Sequence, residues 1–430
     1  MDKQIEDLYK VYQQCSQVCI DSRKVEEGSI FFALKGPNFD GNKFAKDALD
    51  QGAAFVVIDD SKQQIEGQSL LVDNVLISLQ KLSKHHRSQL SIPIIGITGS
   101  NGKTTSKELV KKVLETKYSV SATEGNYNNT IGVPLSLLNI GVKHEVGIIE
   151  MGSNGKGEIE FLCKLAQPSI GLITSIGKAH LEGFGDINGV IEEKTALYRS
   201  VGDTNGVIIY NDDSIYLKQH IKDETHNIPY SKKGCFAFEL DIDATFPKIR
   251  ARCKRGSTVL DLQSNLYGEY NVSNIISALV IGELLDINLE DGVDAINKYK
   301  PTNNRSEIKD YNGASIYLDA YNANPTSVTL VLKEFSRLPG KKILILGDML
   351  EIGKGEDAEH HTILSSIETT RFDRVILFGE LFGKHKQHYK SFAFFSDIAE
   401  LKNYFNTLDL TGKHVLLKGS RSMGLERLIT

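Results

Sequence analysis

Short apolar runs alternate with amphipathic stretches along most of this chain, and that alternation limits the folds open to it. IPIIGIT, from residue 92, leads into TTSKELVKKVLETK, where Leu109, Val110, Val113 and Leu114 share one helical face. VGIIEMG precedes GEIEFLCKLA, IGLITSIG precedes GVIEEKTALYRSV, and GVIIYND follows. After the helical NVSNIISALVIGELL the pattern restarts near residue 302 with ASIYLDAY, TSVTLVLKEFSRL, KKILILGDM, RVILFGE and HVLLKGS. Strand-like runs alternating with helical ones predict an α/β fold, with parallel sheets covered by helices. Two such units are expected, the second doubly wound. Ahead of them SIFFAL and AAFVVID flank a loop and a helical pattern, which predicts a smaller α/β unit ending near residue 88. At roughly 100–200 residues per domain, 430 residues accommodate two to four units. The polar stretch KPTNNRSE around Pro301 is a plausible second boundary.

Composition removes several function classes. A net charge of −5 and no long Lys/Arg block argue against nucleic acid as the main partner. No apolar run approaches the ~20 residues of a membrane span. MDKQIEDLYK lacks the apolar core of a signal peptide. Cys15, Cys19, Cys163, Cys235 and Cys253 are odd in number and irregularly spaced, which speaks against a disulfide framework or zinc site. A cytoplasmic protein with reduced thiols is expected.

IPIIGITGSNGKTT has the order of a phosphate-binding loop: apolar strand, Gly-rich turn, then Lys and a hydroxyl at the head of a helix. The general form G-x-x-x-x-G-K-[ST] puts its first Gly at position 97, which is Ile97 here. Backbone N–H groups of Gly99, Ser100, Asn101 and Gly102 and the helix N-terminus would face an anion. Lys103 would add charge, and the hydroxyls of Thr104 and Thr105 follow, Thr104 placed for Mg²⁺.

Other candidates sit where apolar runs end, the edge at which open α/β sheets bind ligands. Glu150 closes VGIIE and reads equally as a Mg²⁺ ligand or as a carboxylate that merely ends a strand. His180, in SIGKAHLEGFG, is a metal ligand, an acid–base group or a loop histidine bonded to backbone. Gly177, Gly183 and Gly185 around it favour function, since they permit close approach of backbone to a ligand. Lys194, beside Glu192 and Glu193, reads by pattern as a solvated helix lysine. In NNRSEIKDYNGASIYLDAYNANPTS, turn chemistry accounts for Asn322, Asn324 and the proline but not for Asp319 at a strand end. His360 and His361 are adjacent on a predicted helix, point apart and are not taken as ligands.

Taken in order, GSNGKTT, GNYNNTIGVP, EMGSNGKGEI, AHLEGFG, EYNVSN, YNANP, LGDMLE and KGSRSMG resemble the Mur ligase family over nearly the whole chain. The family's phosphate loop is G-x-x-G-K-T, which accounts for Ile97. The resemblance implies three domains: 1–88 for a UDP-sugar precursor, a central ATP-binding 89–302, and a Rossmann-like 303–430. The motifs are most similar to the member that joins D-alanyl-D-alanine to UDP-N-acetylmuramoyl-tripeptide through an acyl phosphate. The Asp-Asn-Pro-Arg pattern of the member adding the third peptide residue is absent from the sequence. ATP and two Mg²⁺ ions are implied, and a monomer is expected.

Residue by residue, the resemblance places Lys103 and Thr104 at phosphate and one Mg²⁺, with Glu150 a ligand to that ion and His180 helping to hold the second. Lys194 falls where the family has a lysine that is often carbamylated, which would make it a carboxylate-like ligand. Asn271 would contact adenine, and Arg305 and Asp319 would meet the γ-phosphate and ribose after domain closure. Ser22 and Arg23 would lie near UDP, and Asn128, Asn129 and Thr130 near the UDP-sugar portion. Asn304 stands where a glycine commonly precedes the arginine; Asn tolerates a left-handed backbone, so little effect is expected. Leu318-Asp319-Ala320 replaces a common Asp-Asp-Ser, which keeps only the second Asp. The short run before DSR leaves the first unit without an initial strand. A folylpolyglutamate-synthase-like ligase or another Mur ligase is the nearest alternative, then a non-catalytic scaffold or a phosphotransferase. An open form that closes on ligands is expected, with a hinge near residues 300–305.

Overall fold

The structure, a computed structural model, describes residues 3–222 and 226–430. The first body is a parallel sheet in the order Val18–Cys19, Ile30–Phe32, Phe55–Ile58, Ser69–Leu71. An initial strand is therefore present, contrary to expectation, but only two residues long. Ile30, Phe32 and Val57 pack on one face while Phe31, Val56 and Ile58 pack on the other. Burial on both faces is what makes these strands continuous apolar runs. The helix Val75–Ser88, capped by Asn74, welds this body to the next. His86 Nε2 is 2.8 Å from Ile140 O, Gln80 donates to Thr130 O and Arg87 to Ala166 O. Its polar residues thus bind across a junction.

The second body is a ten-stranded sheet among the described residues. Six strands are parallel, in the order Val120–Ala122, Val146–Glu150, Ile94–Thr98, Ile170–Ile173, Val207–Asn211, His226–Ser231. The expected parallel sheet is only part of it, because four antiparallel strands between Gly234 and Gln263 extend one edge. These alternate: Phe238, Leu240, Ala251, Cys253 and Leu262 join the core while their neighbours face outward. A half-solvated antiparallel sheet needs no long apolar run.

The third body has six strands, ordered Glu307–Tyr311, Ala314–Asp319, His414–Lys418, Lys342–Gly347, Arg374–Phe378, Ala393–Phe395. The first pair is antiparallel and the rest parallel. Both edge strands are short or polar and were not foreseen.

The third body packs against the second. Phe246 and Tyr267 of the central body pack against Tyr317 of the third, tilted at 4.9 Å and edge-on at 5.4 Å between ring centroids. Thr245 donates to Glu334, Asn324 to Asn101 at 2.8 Å, and Lys178 pairs with Glu359. Between the bodies Asn303, Asn304 and Ser306 have φ of 62°, 58° and 50°. Asn304 is left-handed, as its place in a glycine position requires. A side chain with a Cβ costs roughly 1–2 kcal/mol there, least for Asn. Asn304→Gly should change stability by less than about 1 kcal/mol, and Asn304→Val should lower it by about 1–2 kcal/mol, both read from urea unfolding.

Candidate active site

The strand Ile94–Thr98 is flanked by Val146–Glu150 on one side and Ile170–Ile173 on the other. Chain order reverses across it, so this is the switch point at which open sheets bind ligands. Three strand exits lie together there, carrying the glycine loop, Glu150 and the segment to His180. The loop's backbone is over-determined. Ser100 N donates to Ser175 O at 2.8 Å, Asn101 N to Ser175 Oγ, and Thr174 Oγ1 to Asn101 O. Gly99 has φ +143° and a Cβ there would lie 2.2 Å from Thr174 Oγ1, so no larger residue fits. The helix Lys103–Leu114 starts at Gly102, with no side-chain cap, so its first-turn N–H groups remain open to an anion. Thr104 and Thr105 are buried but line the same cleft. Lys103 Nζ curls onto Gly99 O at 2.5 Å. Desolvation pushes its pKa down, with the Glu150 charge opposing.

Glu150 is 1% exposed. Its Oε1 accepts from Asn128 Nδ2 at 2.8 Å, while Oε2 is buried without a hydrogen-bond partner. An orphaned carboxylate oxygen beside a phosphate loop is a costly arrangement that a cation would relieve. Among the described residues no three His, Cys, Asp or Glu side chains form a metal cage. A single carboxylate with an unpartnered oxygen beside a phosphate loop fits Mg²⁺, which takes one or two carboxylates plus phosphate and water oxygens. His180 has the left-handed φ of +51°. Its Nδ1 lies 2.7 Å from Glu351 Oε2, off the line a hydrogen bond needs.

Lys194 is not a solvated lysine. It is 1% exposed, its Nζ donates to Ser153 Oγ at 2.7 Å and sits 5.4 Å from the Phe184 ring. Burial, reinforced by the Lys103 charge, pushes its pKa down to about 7. Glu193 is buried too, accepting from Gly157 N and Ile159 N at the head of the helix Glu158–Ala166. Only Glu192 takes the exposed place that the pattern suggested for all three.

These groups share one cleft of about 940 Å³ between the second and third bodies. Ser100 to Thr105, Asn128, Asn129, Thr130, Glu150, His180, Asn271, Arg305 and Asp319 all line it. Gly99 and Lys194 stand just behind the lining, through Lys103 and Ser153. Ser22 and Arg23 are not part of it; they lie on a turn of the first body, with Arg23 paired to Asp21 at 2.8 Å. Asn271 already spends its amide inside the protein, donating to Tyr267 O and Ser306 Oγ and accepting from Asn274. Asn129 Oδ1 likewise holds Ile131 N and Gly132 N. His360 is fully buried, its Nε2 accepting from Met349 N, which agrees with its not being read as a ligand.

The motifs YNANP and KGSRSMG contain Tyr321, Lys418 and Arg421, to which the sequence alone assigns no role. Lys418 ends the strand His414–Lys418 and pairs with Asp319 at 2.8 Å, at 1% exposure. Its signal was available: a cation ending HVLLK mirrors the carboxylate ending VGIIE.

The chain is 34% identical to UDP-N-acetylmuramoyl-tripeptide–D-alanyl-D-alanine ligase of Bacillus subtilis, over 96% of this chain and 92% of that protein. The chain belongs to the Mur ligase family. The family descriptions Mur ligase family, catalytic domain; Mur ligase middle domain; and Mur ligase, glutamate ligase domain match residues 14–101, 97–282 and 304–421. The Escherichia coli ligase of the same name is 28% identical over 96% of this chain and 92% of its own. MurF from Acinetobacter baumannii superposes with a TM-score of 0.87 at 25% identity, covering 99% of this chain and 97% of that one. MurF ligase from Thermotoga maritima, solved in complex with ADP, gives 0.83 at 26%, covering 97% and 96%. The three-body Mur ligase architecture and the ATP-dependent ligase class follow for this chain.

The like charges of Lys103 and Lys194 give a test within this Mur ligase. Lys103→Met removes a repulsion, so the Lys194 pKa should rise above about 7. Between about 7 and the ordinary 10.5, the unfolded chain holds a proton that folded Lys194 has shed. This group's contribution to stability therefore increases with pH across that window, and the variant should narrow the window from below. NMR of isotopically labelled lysines and pH-dependent unfolding measure both.

Proposed function

We propose that this chain joins D-alanyl-D-alanine to UDP-N-acetylmuramoyl-tripeptide with ATP, releasing ADP and phosphate, as a ligase of peptidoglycan precursor synthesis. Near full-length identity of 34% to a ligase of that name carries the reading, and the convergence of phosphate loop, Glu150 and Arg305 on one cleft supports it. The tripeptide carboxylate attacks the γ-phosphorus and ADP leaves. The dipeptide amine then attacks the acyl carbon, and phosphate leaves. A carboxylate is a poor electrophile, and the acyl phosphate supplies the leaving group.

The chain's task is to hold crowded anions in line. Ser100 N and Asn101 N are spent on Ser175, so we assign the open N–H groups at Gly102 and the first helical turn, with Lys103, to the ATP phosphates, Arg305 to the γ-phosphate, and Asp319 and Asn271 to the nucleoside side. Both Nδ2 hydrogens of Asn271 are spent, so it would meet adenine through the second lone pair of Oδ1. Thr104 and Glu150 would hold one Mg²⁺, and His180 with carbamylated Lys194 a second; bound there, the ions would offset phosphate charge. The neutral amine is the form that adds CO₂, and a Lys194 pKa of about 7 makes it abundant. Carbamylation would turn the repulsion from Lys103 into attraction. Asn128, Asn129 and Thr130 are assigned to the sugar portion, and Ser22 and Arg23 to the uridine end on the first body. The proposed domains are 1–88, 89–302 and 303–430. No helix among the described residues is long and apolar enough to cross a membrane; we place a monomeric enzyme in the cytoplasm.

Phosphate release should require ATP, UDP-N-acetylmuramoyl-tripeptide and D-alanyl-D-alanine together. Lys194→Ala should lower it by about 100-fold or more, with partial rescue by short carboxylic acids. Unchanged turnover in the variant would refute the carbamate; no turnover in the wild type would refute the ligase. Glu150→Gln keeps an acceptor for Asn128 but loses the charge, so the Mg²⁺-dependent gain in ATP affinity, read by calorimetry, should fall at least about tenfold.

A further inference from the structure

Two cations of the third body's side of the cleft converge on one ring. Arg305 Cζ lies 3.3 Å from the centroid of Tyr321, and Arg421 Cζ lies 4.8 Å from it. Arg421 Nη1 also donates to Tyr321 Oη at 3.0 Å. Among the described residues neither guanidinium has a carboxylate within ion-pair distance. Guanidinium cannot shed its charge at any ordinary pH, so the pair repel each other and remain available to anions. Both line the cleft.

Their positions are built in. Asp319 and Lys418 end neighbouring parallel strands, in register, and pair at 2.8 Å. Lys418 Nζ also donates to Asn322 O at 3.1 Å, which fixes the loop carrying Tyr321. Beyond Lys418, Ser420 N donates to Asp348 O, and Ser420 Oγ accepts from Leu350 N. Arg421 therefore leaves a fixed point, and Ser422 beside it also faces the cleft.

The reaction, on the function proposed above, handles two carboxylates. One must be phosphorylated; the other, at the end of the incoming dipeptide, must be spared while the amine is aimed at the acyl group. A dipeptide spans at most about 7 Å, so its carboxylate has to be received in the same cleft as its amine. Arg305 is assigned to phosphate. We propose that Arg421, held by Tyr321, receives the terminal carboxylate of the dipeptide and makes a free carboxylate a requirement of the amine substrate. An arginine suits this because its two parallel N–H groups match a carboxylate.

The test compares D-alanyl-D-alanine with its C-terminal amide, in wild type, Arg421→Gln and Arg421→Lys, with ATP and the UDP-tripeptide saturating. The wild type should favour the acid in kcat/KM by about 10- to 100-fold. Arg421→Gln should raise KM for the acid by a similar factor and abolish the preference, with KM for ATP within twofold of wild type. Arg421→Lys should restore part of the preference. A wild type that uses amide and acid equally overturns the proposal, as does an Arg421→Gln enzyme that keeps the preference. A wild type that joins neither form overturns the ligase reading itself, and this inference with it.

Discussion

The cleft depends on how the glycine loop is tied to the neighbouring strand exit. Residues 99–101 have no regular structure of their own, yet Ser100 and Asn101 are bonded to Ser175, Thr174 and Gly177. Those bonds hold the loop's backbone, leave Asn101 Nδ2 buried without a partner, and leave the head of the helix Lys103–Leu114 free. Asn101 also accepts from Asn324 of the third body at 2.8 Å. One residue thus couples phosphate-loop geometry to the seating of that body. A side chain at Gly99 would break the coupling from within, because Thr174 stands where its Cβ would go.

Around that loop the protein concentrates buried charge with little internal compensation. Glu150 is half-satisfied, Lys194 is bonded to a serine beside the Phe184 ring, and Lys103 leans on carbonyls. Elsewhere the same chain pairs its buried ions well. Lys107 bonds Thr123 O at 2.5 Å and pairs with Glu108, Glu193 takes two backbone N–H groups, and Asp348 takes Leu381 N and Phe382 N. Lys107 also reaches the site indirectly, since Thr123 Oγ1 accepts from Glu150 N. The under-satisfied Glu150, Lys194 and Lys103 thus lie together where ligands with oxygens and phosphates would enter.

What the sequence made legible follows from which forces are local. Parallel strands buried on both faces are continuous apolar runs, so those around Ile94, Val146, Ile170 and Lys342 could be read directly. Strand ends carrying Glu150 and Asp319 could each be placed at the carboxyl edge of their own sheet, because parallel topology fixes that edge. Lys194 could not be read, since its burial comes from Ser153 and Phe184, distant in sequence and brought over it by the fold. The antiparallel strands from Gly234 to Gln263 needed a period of two rather than an apolar run. Arg421 was hidden because its partner, Tyr321, lies on a different strand exit.

Ile97 shows why the loop works without the first glycine of the general phosphate-loop form. It is still in the strand, fully buried and paired with Glu150 on one side and Leu172 on the other. The turn begins only after Thr98, and Gly99 at φ +143° is the first residue whose backbone demands glycine. Shortening the loop keeps its backbone against the strand exits at Glu150 and Thr174. The loop, the Glu150 carboxylate and the facing third body therefore border one cleft, as a ligation that must align a nucleotide with two further substrates needs.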